Sequence, residues 1–243
     1  MKDIEFYEEL VNRFRTVAAE NNLLDDEITI TSRALSTKEA IGNPERRDYP
    51  IIKGKEKLMQ AEFKGFKGQA FTDMPGMFQG SLKQVLEMVP ENNCDRAILV
   101  ASMNAVLRYL NLIDRTIHCH DEEPEECAQA LLQHIQENYP QARIGLIGLQ
   151  PAILEKLSRA FTVRVVDIDE DNIGQMKSGV EVEGFEHTDE VLEWCDLIVA
   201  TGSTVVNATI NRYVGAKPAI FFGTTGAGAA HLMNLERWCY KGA

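Results

Sequence analysis

A short stretch at residues 118–127 combines two histidines, two cysteines and five acidic residues. Neutral imidazole and thiolate are the usual protein ligands of zinc and of softer transition metals. The acids have a second interpretation, because Pro124 suits the first turn of a helix and acidic residues there complement the helix dipole. That interpretation leaves the histidines and cysteines unexplained. We therefore predict a transition-metal site, with the metal unspecified, whose ligands are His118, Cys119, Cys127 and, near the C-terminus, Cys239.

The order of these residues sets two further expectations. In a β-strand, His118 and His120 would share one face and Cys119 the other, so the three could bind one ion only if the segment is irregular. Cys127 lies near the predicted helix N-terminus, which should lower the pKa of its thiol. Its eight-residue spacing from Cys119 differs from the C-x-x-C pattern of a zinc ribbon.

The second half of the chain contains four short apolar runs, at residues 143–148, 163–169, 197–201 and 218–222. Nearly continuous apolar strands that alternate with helices are typical of a parallel sheet covered on both faces. Ligands of such sheets bind outside the carboxyl ends of the strands. The segments that follow these runs therefore supply the predicted ligand-binding residues: Gly148, Pro151, Asp167, Thr201, Gly202, Ser203, Thr204, Asn207, Gly223, Thr224, Thr225 and Gly226.

Two of these segments have a composition that fits an anionic ligand. Ser203 or Thr204 can cap a following helix, whose free N–H groups favour a negative charge, and Gly202 would let a ligand approach the backbone. A capped turn that binds nothing has the same composition. The glycine-rich segment 223–228 could cradle a carboxylate or phosphate, or could be a tight turn. It lacks the Gly-Lys-Ser/Thr ending of a P-loop, which excludes that class of nucleoside triphosphatase.

Two other polar features have open interpretations. Asp167 follows Gly148 by 19 residues, near the position of a ribose-binding acid, but the G-x-G-x-x-G spacing is absent and solvated strand-end acids fit equally well. Asn104 lies in an apolar helical run, and a buried amide needs partners, so it either ties down backbone in the core or points into a cleft. This residue joins the predicted ligand-binding set. We assign the remaining cysteines, Cys94 and Cys195, to packing.

The first half has a different order of elements. Periodicity predicts a helix over residues 4–18, a strand over 27–33, a hairpin over 58–72 and two helices at about 81–89 and 95–111. This order indicates an α+β unit with three antiparallel strands. A further helix should run from Pro124 to about Asn138. We therefore divide the chain into an α+β domain at residues 1–140 and an α/β domain with a mainly parallel sheet at residues 141–243.

Composition excludes several classes of function. Among 243 residues, 25 Lys and Arg face 37 Asp and Glu, for a net charge of −12. Such a chain is a poor candidate for binding nucleic acid or an anionic membrane surface. No apolar run reaches the roughly 18 residues of a membrane span, and the acidic N-terminus is unlike a signal peptide, so we expect a cytoplasmic protein. Its five cysteines are then reduced thiols or metal ligands.

Three segments together resemble the putative heavy-metal chelation family, long catalogued as a domain of unknown function: Thr201–Asn207 (TGSTVVN), 223–228 (GTTGAG) and 101–105 (ASMNA). The resemblance covers nearly the whole chain. It implies an enolase N-terminal-like first domain, a Rossmann-like second domain and a ligand site in the cleft between them. Residues 118–127 and 237–239 look like one subgroup of that family. Enolase activity is not implied, because that chemistry depends on a barrel absent here.

Three functions follow as hypotheses. The first is binding of a metal ion, a metal chelate or a related small anionic ligand in the cleft, with a role in heavy-metal chelation; a homodimer is left open. The alternative is an enzyme that acts on a small anionic or nucleotide-like substrate, with His118 or His120 as acid–base group. The third is a non-catalytic module whose acidic residues 121–126 dock a basic protein.

Overall fold

The computed structural model describes residues 3–31, 35–215 and 217–243. The helices are α1 Asp3–Glu20, α2 Thr37–Ile41, α3 Leu82–Glu87, α4 Asn93–Tyr109, α5 Glu123–Asn138, α6 Pro151–Ser158, α7 Thr188–Trp194 and α8 Ala227–Met233. The strands are β1 Glu27–Thr31, β2 Lys57–Phe63, β3 Phe66–Thr72, β4 Phe78–Ser81, β5 Ile144–Ile147, β6 Val163–Asp167, β7 Met176–Lys177, β8 Val180–Gly184, β9 Leu197–Thr201, β10 Ala219–Phe222 and β11 Glu236–Trp238.

An antiparallel sheet is built from the first part of the chain, in the order β3-β2-β1-β4. The hairpin predicted over residues 58–72 is confirmed, with Gly65 at φ +82° in its turn. The sheet has a fourth strand, β4, where three were expected, because the short sequence FQGS has little apolar alternation to reveal it. The predicted strand at 27–33 is confirmed through Thr31; residues 32–33 lie outside the described residues.

A larger, mostly parallel sheet occupies the second half, in the order β11-β10-β9-β5-β6-β8-β7. The four predicted strands are its centre, β10, β9, β5 and β6. Strands β7, β8 and β11 were not predicted, because their residues are polar or few. Among the described strand pairs of this sheet, β7–β8 is antiparallel and the others are parallel. The fold is therefore a mixed one, with a large mainly parallel sheet beside a smaller antiparallel sheet.

Helices from both halves cover the parallel sheet. On one face, Leu131 of α5 and Leu154 of α6 share a buried cluster with Val199 of β9. On the other face, Ile198 of β9 shares a cluster with residues of α1, α4 and the antiparallel sheet. This alternation of neighbouring β9 side chains between two cores explains the continuous apolar runs in the sequence.

Helix α4 joins the two sheets because it packs closely on β3. A Cβ atom added to Gly68 of β3 would lie 2.2 Å from the backbone nitrogen of Ala105, so only glycine permits this approach. Within the described ranges, no helix combines the length and the apolar character needed to cross a bilayer.

Candidate functional site

A cavity of about 370 Å³ lies between the antiparallel sheet and the carboxyl ends of the parallel strands. Its walls come from both halves of the chain, with Phe71 and His118 on one side and Thr201 on the other. The cavity is therefore in the position that the carboxyl-end rule indicates. The predicted residues that line it are His118, Cys119, Cys127, Gly148, Asp167, Thr201, Ser203, Thr204, Asn207, Gly223, Thr224, Thr225 and Cys239.

Asn104 lies behind the cavity wall, fully buried. Its amide nitrogen donates to the backbone oxygens of Gln69, Thr224 and Thr225 at 2.9, 3.3 and 3.1 Å. Its Oδ1 accepts from the N–H of Gly228 at 2.7 Å. The structure therefore shows the first interpretation of Asn104, in which its side chain hydrogen-bonds backbone groups in the core. The backbone that it holds is the glycine-rich loop after β10.

Three other predicted residues also lie outside the lining. Pro151 is buried at the start of α6. Gly202 and Gly226 pack against each other, and a Cβ on Gly202 would lie 2.5 Å from the nitrogen of Gly226. The close approach expected of a ligand at Gly202 is thus made by a neighbouring loop.

The segment after β9 differs from the predicted capped α-helix. It forms only a short 3-10 turn, Gly202–Thr204, in which the hydroxyl of Thr201 accepts from the N–H of Ser203 at 3.3 Å. The hydroxyl of Thr204 donates to the Thr201 carbonyl at 2.8 Å. The predicted helix is wrong, because no α-helix lies between β9 and β10 in the described residues; anion binding at this segment stays a prediction. Ser203, Thr204 and Asn207 still reach the cavity.

The soft donors Cys119, Cys127 and Cys239 all line this cavity, and the side chains of Cys119 and Cys127 influence each other's ionisation. The neighbouring Cys119 side chain lowers the pKa of Cys127, and the N–H of Lys241 donates to the Cys127 sulfur at 3.4 Å. Burial acts in the opposite direction and raises the pKa of Cys127. The direction predicted for Cys127 is confirmed, but its leading cause is the neighbouring thiol. The Cys127 side chain and burial raise the pKa of Cys119.

Cys239 and His118 also line the thiol end of the cavity. Burial raises the pKa of Cys239 against the lowering effect of the Arg237 guanidinium. Burial lowers the pKa of His118 to about 4, so its imidazole is neutral at pH 7 and its Nδ1 has no hydrogen-bond partner within the described chain. Neutral imidazole and thiolate are the forms that bind metals. In the part of the chain that the structure describes, however, no three His, Cys, Asp or Glu side chains are placed to hold one ion together.

Residues 118–122 form an irregular segment and no β-strand. The alternation of faces expected of a strand therefore does not apply to His118, Cys119 and His120. Asp121 has φ +53°, its N–H donates to the carbonyl of Ile41 at 2.8 Å, and the N–H of His120 donates to Glu123 at 2.8 Å. His118 and Cys119 both line the cavity as a result. His120 instead lines a separate surface depression.

The acidic start of α5 is largely paired within the chain. Glu125 bonds Arg46 at 2.7 Å and Lys156 at 3.4 Å, and Glu126 bonds Lys241 at 2.5 Å. These contacts hold α5 against its neighbours and leave less free charge for the predicted protein-docking surface. That surface stays a prediction.

The other end of the cavity is acidic. Asp167 accepts from the N–H groups of Leu149 and Asp169 at 2.5 and 2.7 Å, so it ties the loop after β5 to the loop after β6. Burial nevertheless raises its pKa. Asp169 pairs with Lys55 at 3.3 Å, and Lys55 also bonds Asp171 at 2.6 Å.

Glu56 is the residue of this end that sequence reasoning missed. Burial, together with the smaller effects of the carboxylates of Asp167, Asp169 and Asp73, raises its pKa to about 7. It lines the cavity without a hydrogen bond or ion pair to any described side chain. Glu56 precedes β2 in an ordinary charged loop, so no local signal distinguishes it.

The two ends are too far apart to act on one ion. Cys239 follows β11 and Asp167 ends β6, and these strands are four positions apart in the sheet. At about 4.8 Å per strand the separation is roughly 19 Å. The hydroxyl groups of Thr201, Ser203 and Thr224 lie on the strand ends between them.

Comparisons with known proteins agree with this fold. A family model, DUF364, described as putative heavy-metal chelation, matches residues 130–230. A DUF364 protein of unknown function from Pyrococcus horikoshii is 17% identical, with a TM-score of 0.56 over 89% of this chain and 80% of that chain. One from Desulfitobacterium hafniense is 11% identical, with a TM-score of 0.50 over 73% and 72%. At these identities the likeness shows the fold alone. A search of curated proteins found no match.

Replacing Asn104 by alanine should destabilise the protein, because three carbonyls and one N–H lose a buried partner. We expect the free energy of unfolding to fall by about 3 kcal/mol or more in denaturant titrations. Ser102→Ala is the matched control, since Ser102 lies on the same helix, is fully buried and has a hydroxyl without a partner in the described ranges. That variant should change stability by less than about 0.5 kcal/mol. Equal losses in both variants would contradict the role assigned to the amide.

Glu56→Gln should change how stability depends on pH. A carboxyl whose pKa is higher in the folded protein binds more protons there, so its contribution is present below about pH 4.5 and is lost as pH rises to about 7. The variant should therefore gain about 2–3 kcal/mol relative to the wild type between pH 5 and pH 8. Glu137→Gln, at an exposed position of α5, is the control and should run parallel to the wild type. Parallel curves for both variants would refute the assignment.

Proposed function

We propose that this protein binds a small chelate of a thiophilic metal ion in the cavity between its two sheets. The observation that carries the proposal is that three cysteines, Cys119, Cys127 and Cys239, line the same cavity of about 370 Å³. The match of residues 130–230 to a heavy-metal chelation model supports the same class of ligand.

The donor types fit such a metal. Cys127 is readily ionised, Cys119 can lose its proton to a metal, and His118 is neutral. Sulfur and imidazole donors favour zinc, cadmium and similar ions over hard cations. A bound metal would supply Lewis acidity and a strong thiolate bond at this end. The residues that would hold it are Cys119 and Cys127, with Cys239 and His118 beside them.

The shortage of protein ligands favours a chelate over a bare ion. Zinc and related metals need about four donors. The described chain does not bring three of its metal-binding side chains to one point. A small molecule in the cavity would supply the remaining donors.

The cavity wall near the thiols contains hydrogen-bonding groups that are available to bind that molecule. Tyr49 Oη, Thr224 Oγ1 and Trp238 Nε1 are buried and have no hydrogen-bond partner among the described residues. Burial raises the pKa of Tyr49, so its phenol stays neutral and can donate. Buried polar groups in native proteins are nearly always satisfied, and a polar ligand would satisfy these.

The finer architecture belongs to the same proposal. We assign residues 1–140 to an enolase N-terminal-like unit and residues 141–243 to a Rossmann-like unit, with the chelate between them. The antiparallel order β3-β2-β1-β4 and the parallel centre β10-β9-β5-β6 support this division.

Removing the two thiols should weaken metal binding strongly. We expect Cys119→Ser/Cys127→Ser to bind cadmium at least about tenfold more weakly than the wild type, measured by thiolate-to-metal charge-transfer absorption. Cys195→Ser is the control, because Cys195 lies by Gly145 in another part of the core. Thr224→Val should weaken binding of a cadmium–citrate complex while leaving free cadmium unaffected. Unchanged cadmium stoichiometry in the double variant would remove both cysteines from the ligand set.

Glu56 favours a second candidate function, an enzyme acting on a small anionic or nucleotide-like substrate. A carboxyl group with a pKa near 7 can exchange protons at neutral pH, which general acid–base catalysis requires. Screening nucleotides and small acids by thermal shift should then give a stabilising ligand. Glu56→Gln should abolish its turnover and leave cadmium binding intact. A ligand whose conversion is unaffected by Glu56→Gln would exclude this role.

A further inference from the structure

We propose that the thiol end of the cavity binds a planar nitrogen heterocycle with carbonyl or amine groups on its edge, of about the size of a purine. The heterocycle would be the organic part of the proposed chelate, so its place in the cavity rests on the proposed function. The cavity volume of about 370 Å³ lies in the range of roughly 300–1,000 Å³ that is typical of small-molecule sites.

Four aromatic rings line the cavity and belong to one hydrophobic cluster: those of Tyr49, Phe71, Phe222 and Trp238. They come from the loop before β2, from β3, and from the adjacent strands β10 and β11, where Phe222 and Trp238 are paired in register. Aromatic side chains are favourable contacts for flat rings, which stack on their faces or pack against their edges. Such a wall favours a flat aromatic ligand over an aliphatic one.

The surrounding structure holds two of these rings in place. The ring of His134, which is outside the described cavity lining, packs on Trp238 with the ring centres 4.6 Å apart. Phe71 packs edge to face with His118 at 5.1 Å, and its N–H donates to the Thr225 hydroxyl at 3.1 Å. Walls that are ordered before the ligand arrives reduce the entropy lost on binding.

Buried polar atoms beside these rings match the edge of a heterocycle. Trp238 Nε1, Tyr49 Oη and Thr224 Oγ1 have no hydrogen-bond partner among the described residues, and Tyr49 and Thr224 are only 6% and 2% exposed. The indole can only donate, whereas the two hydroxyls can donate or accept. A ring with nitrogen, carbonyl or amine groups on its edge offers both kinds of partner. A hydrocarbon ring would leave all three atoms unpaired, which costs free energy.

The charges of the lining favour an uncharged ring at this end. Within the described chain, Lys55 is the only Lys or Arg side chain that lines the cavity. It belongs to the acidic end, where it pairs with Asp169 at 3.3 Å and with Asp171 at 2.6 Å. A charged group buried without a partner is costly. Neutral donors and acceptors on a ring therefore suit the thiol end better than a carboxylate or phosphate that no metal holds.

The test is equilibrium dialysis of the metal-free full chain against adenine, hypoxanthine and xanthine. Indole is the comparison ring, because it has a similar bicyclic shape but no carbonyl group and no ring nitrogen that accepts. We expect at least one of the three purines to bind, at one molecule per chain and at least about tenfold more tightly than indole.

Three conservative variants test the polar atoms one at a time. Tyr49→Phe and Thr224→Val each remove a hydroxyl, and Trp238→Phe removes the N–H but keeps an aromatic ring. Each should weaken purine binding by about three- to tenfold, the loss expected for one hydrogen bond. Tyr139→Phe is the matched control, because Tyr139 packs on the same cluster outside the described cavity lining. That variant should bind purine like the wild type.

Two results would overturn the proposal. One is that none of the three purines binds more tightly than indole. The other is that all three cavity variants bind purine like the wild type and like Tyr139→Phe.

Cadmium binding separates this inference from the proposed function. Tyr49→Phe should bind free cadmium like the wild type while its affinity for purine falls. Cadmium binding by the wild type without purine binding would overturn the inference and leave the proposed function standing. Purine binding without cadmium binding would support the heterocycle site and count against the metal.

Discussion

The arrangement of the cavity depends on the four hydrogen bonds of one buried amide, Asn104. Its position in α4 puts it between β3 and the loop after β10, so it fixes the antiparallel sheet relative to the parallel sheet. The N–H of Phe71 adds a direct link, donating to the Thr225 hydroxyl at 3.1 Å. Because such groups are costly to leave unpaired in a core, the loop cannot move without breaking several bonds at once.

A second constraint comes from the C-terminal segment. The guanidinium of Arg237 donates to the carbonyls of Gly223, Asp114 and Arg115, and the backbones of Ala243 and Ile117 exchange two hydrogen bonds. These contacts bring the chain end against the segment that carries His118 and Cys119. The thiol end of the cavity is thus assembled from three separate parts of the chain.

The two ends of the cavity differ in the chemical type of the side chains that line them. At the thiol end the donors are the soft, polarisable sulfurs of three cysteines, whereas the acidic end places several carboxylates beside the unpaired Glu56. Their separation prevents direct competition for one ion. A ligand that spans the strand ends could contact both, with the hydroxyls of Thr201, Ser203 and Thr224 between them.

The sequence by itself determined the central strands and the edge at which they end, because continuous apolar runs and the residues that follow them are local features. It also singled out Asn104, His118, Cys119 and Cys127 by residue type. Only the tertiary structure decided which of these share a surface. The turn at Asp121 sends His118 and Cys119 to the cavity and His120 away from it, and it depends on a hydrogen bond to distant Ile41. Glu56 and the strand β11 could not be found locally, since the environment of each is made by partners far away in the chain.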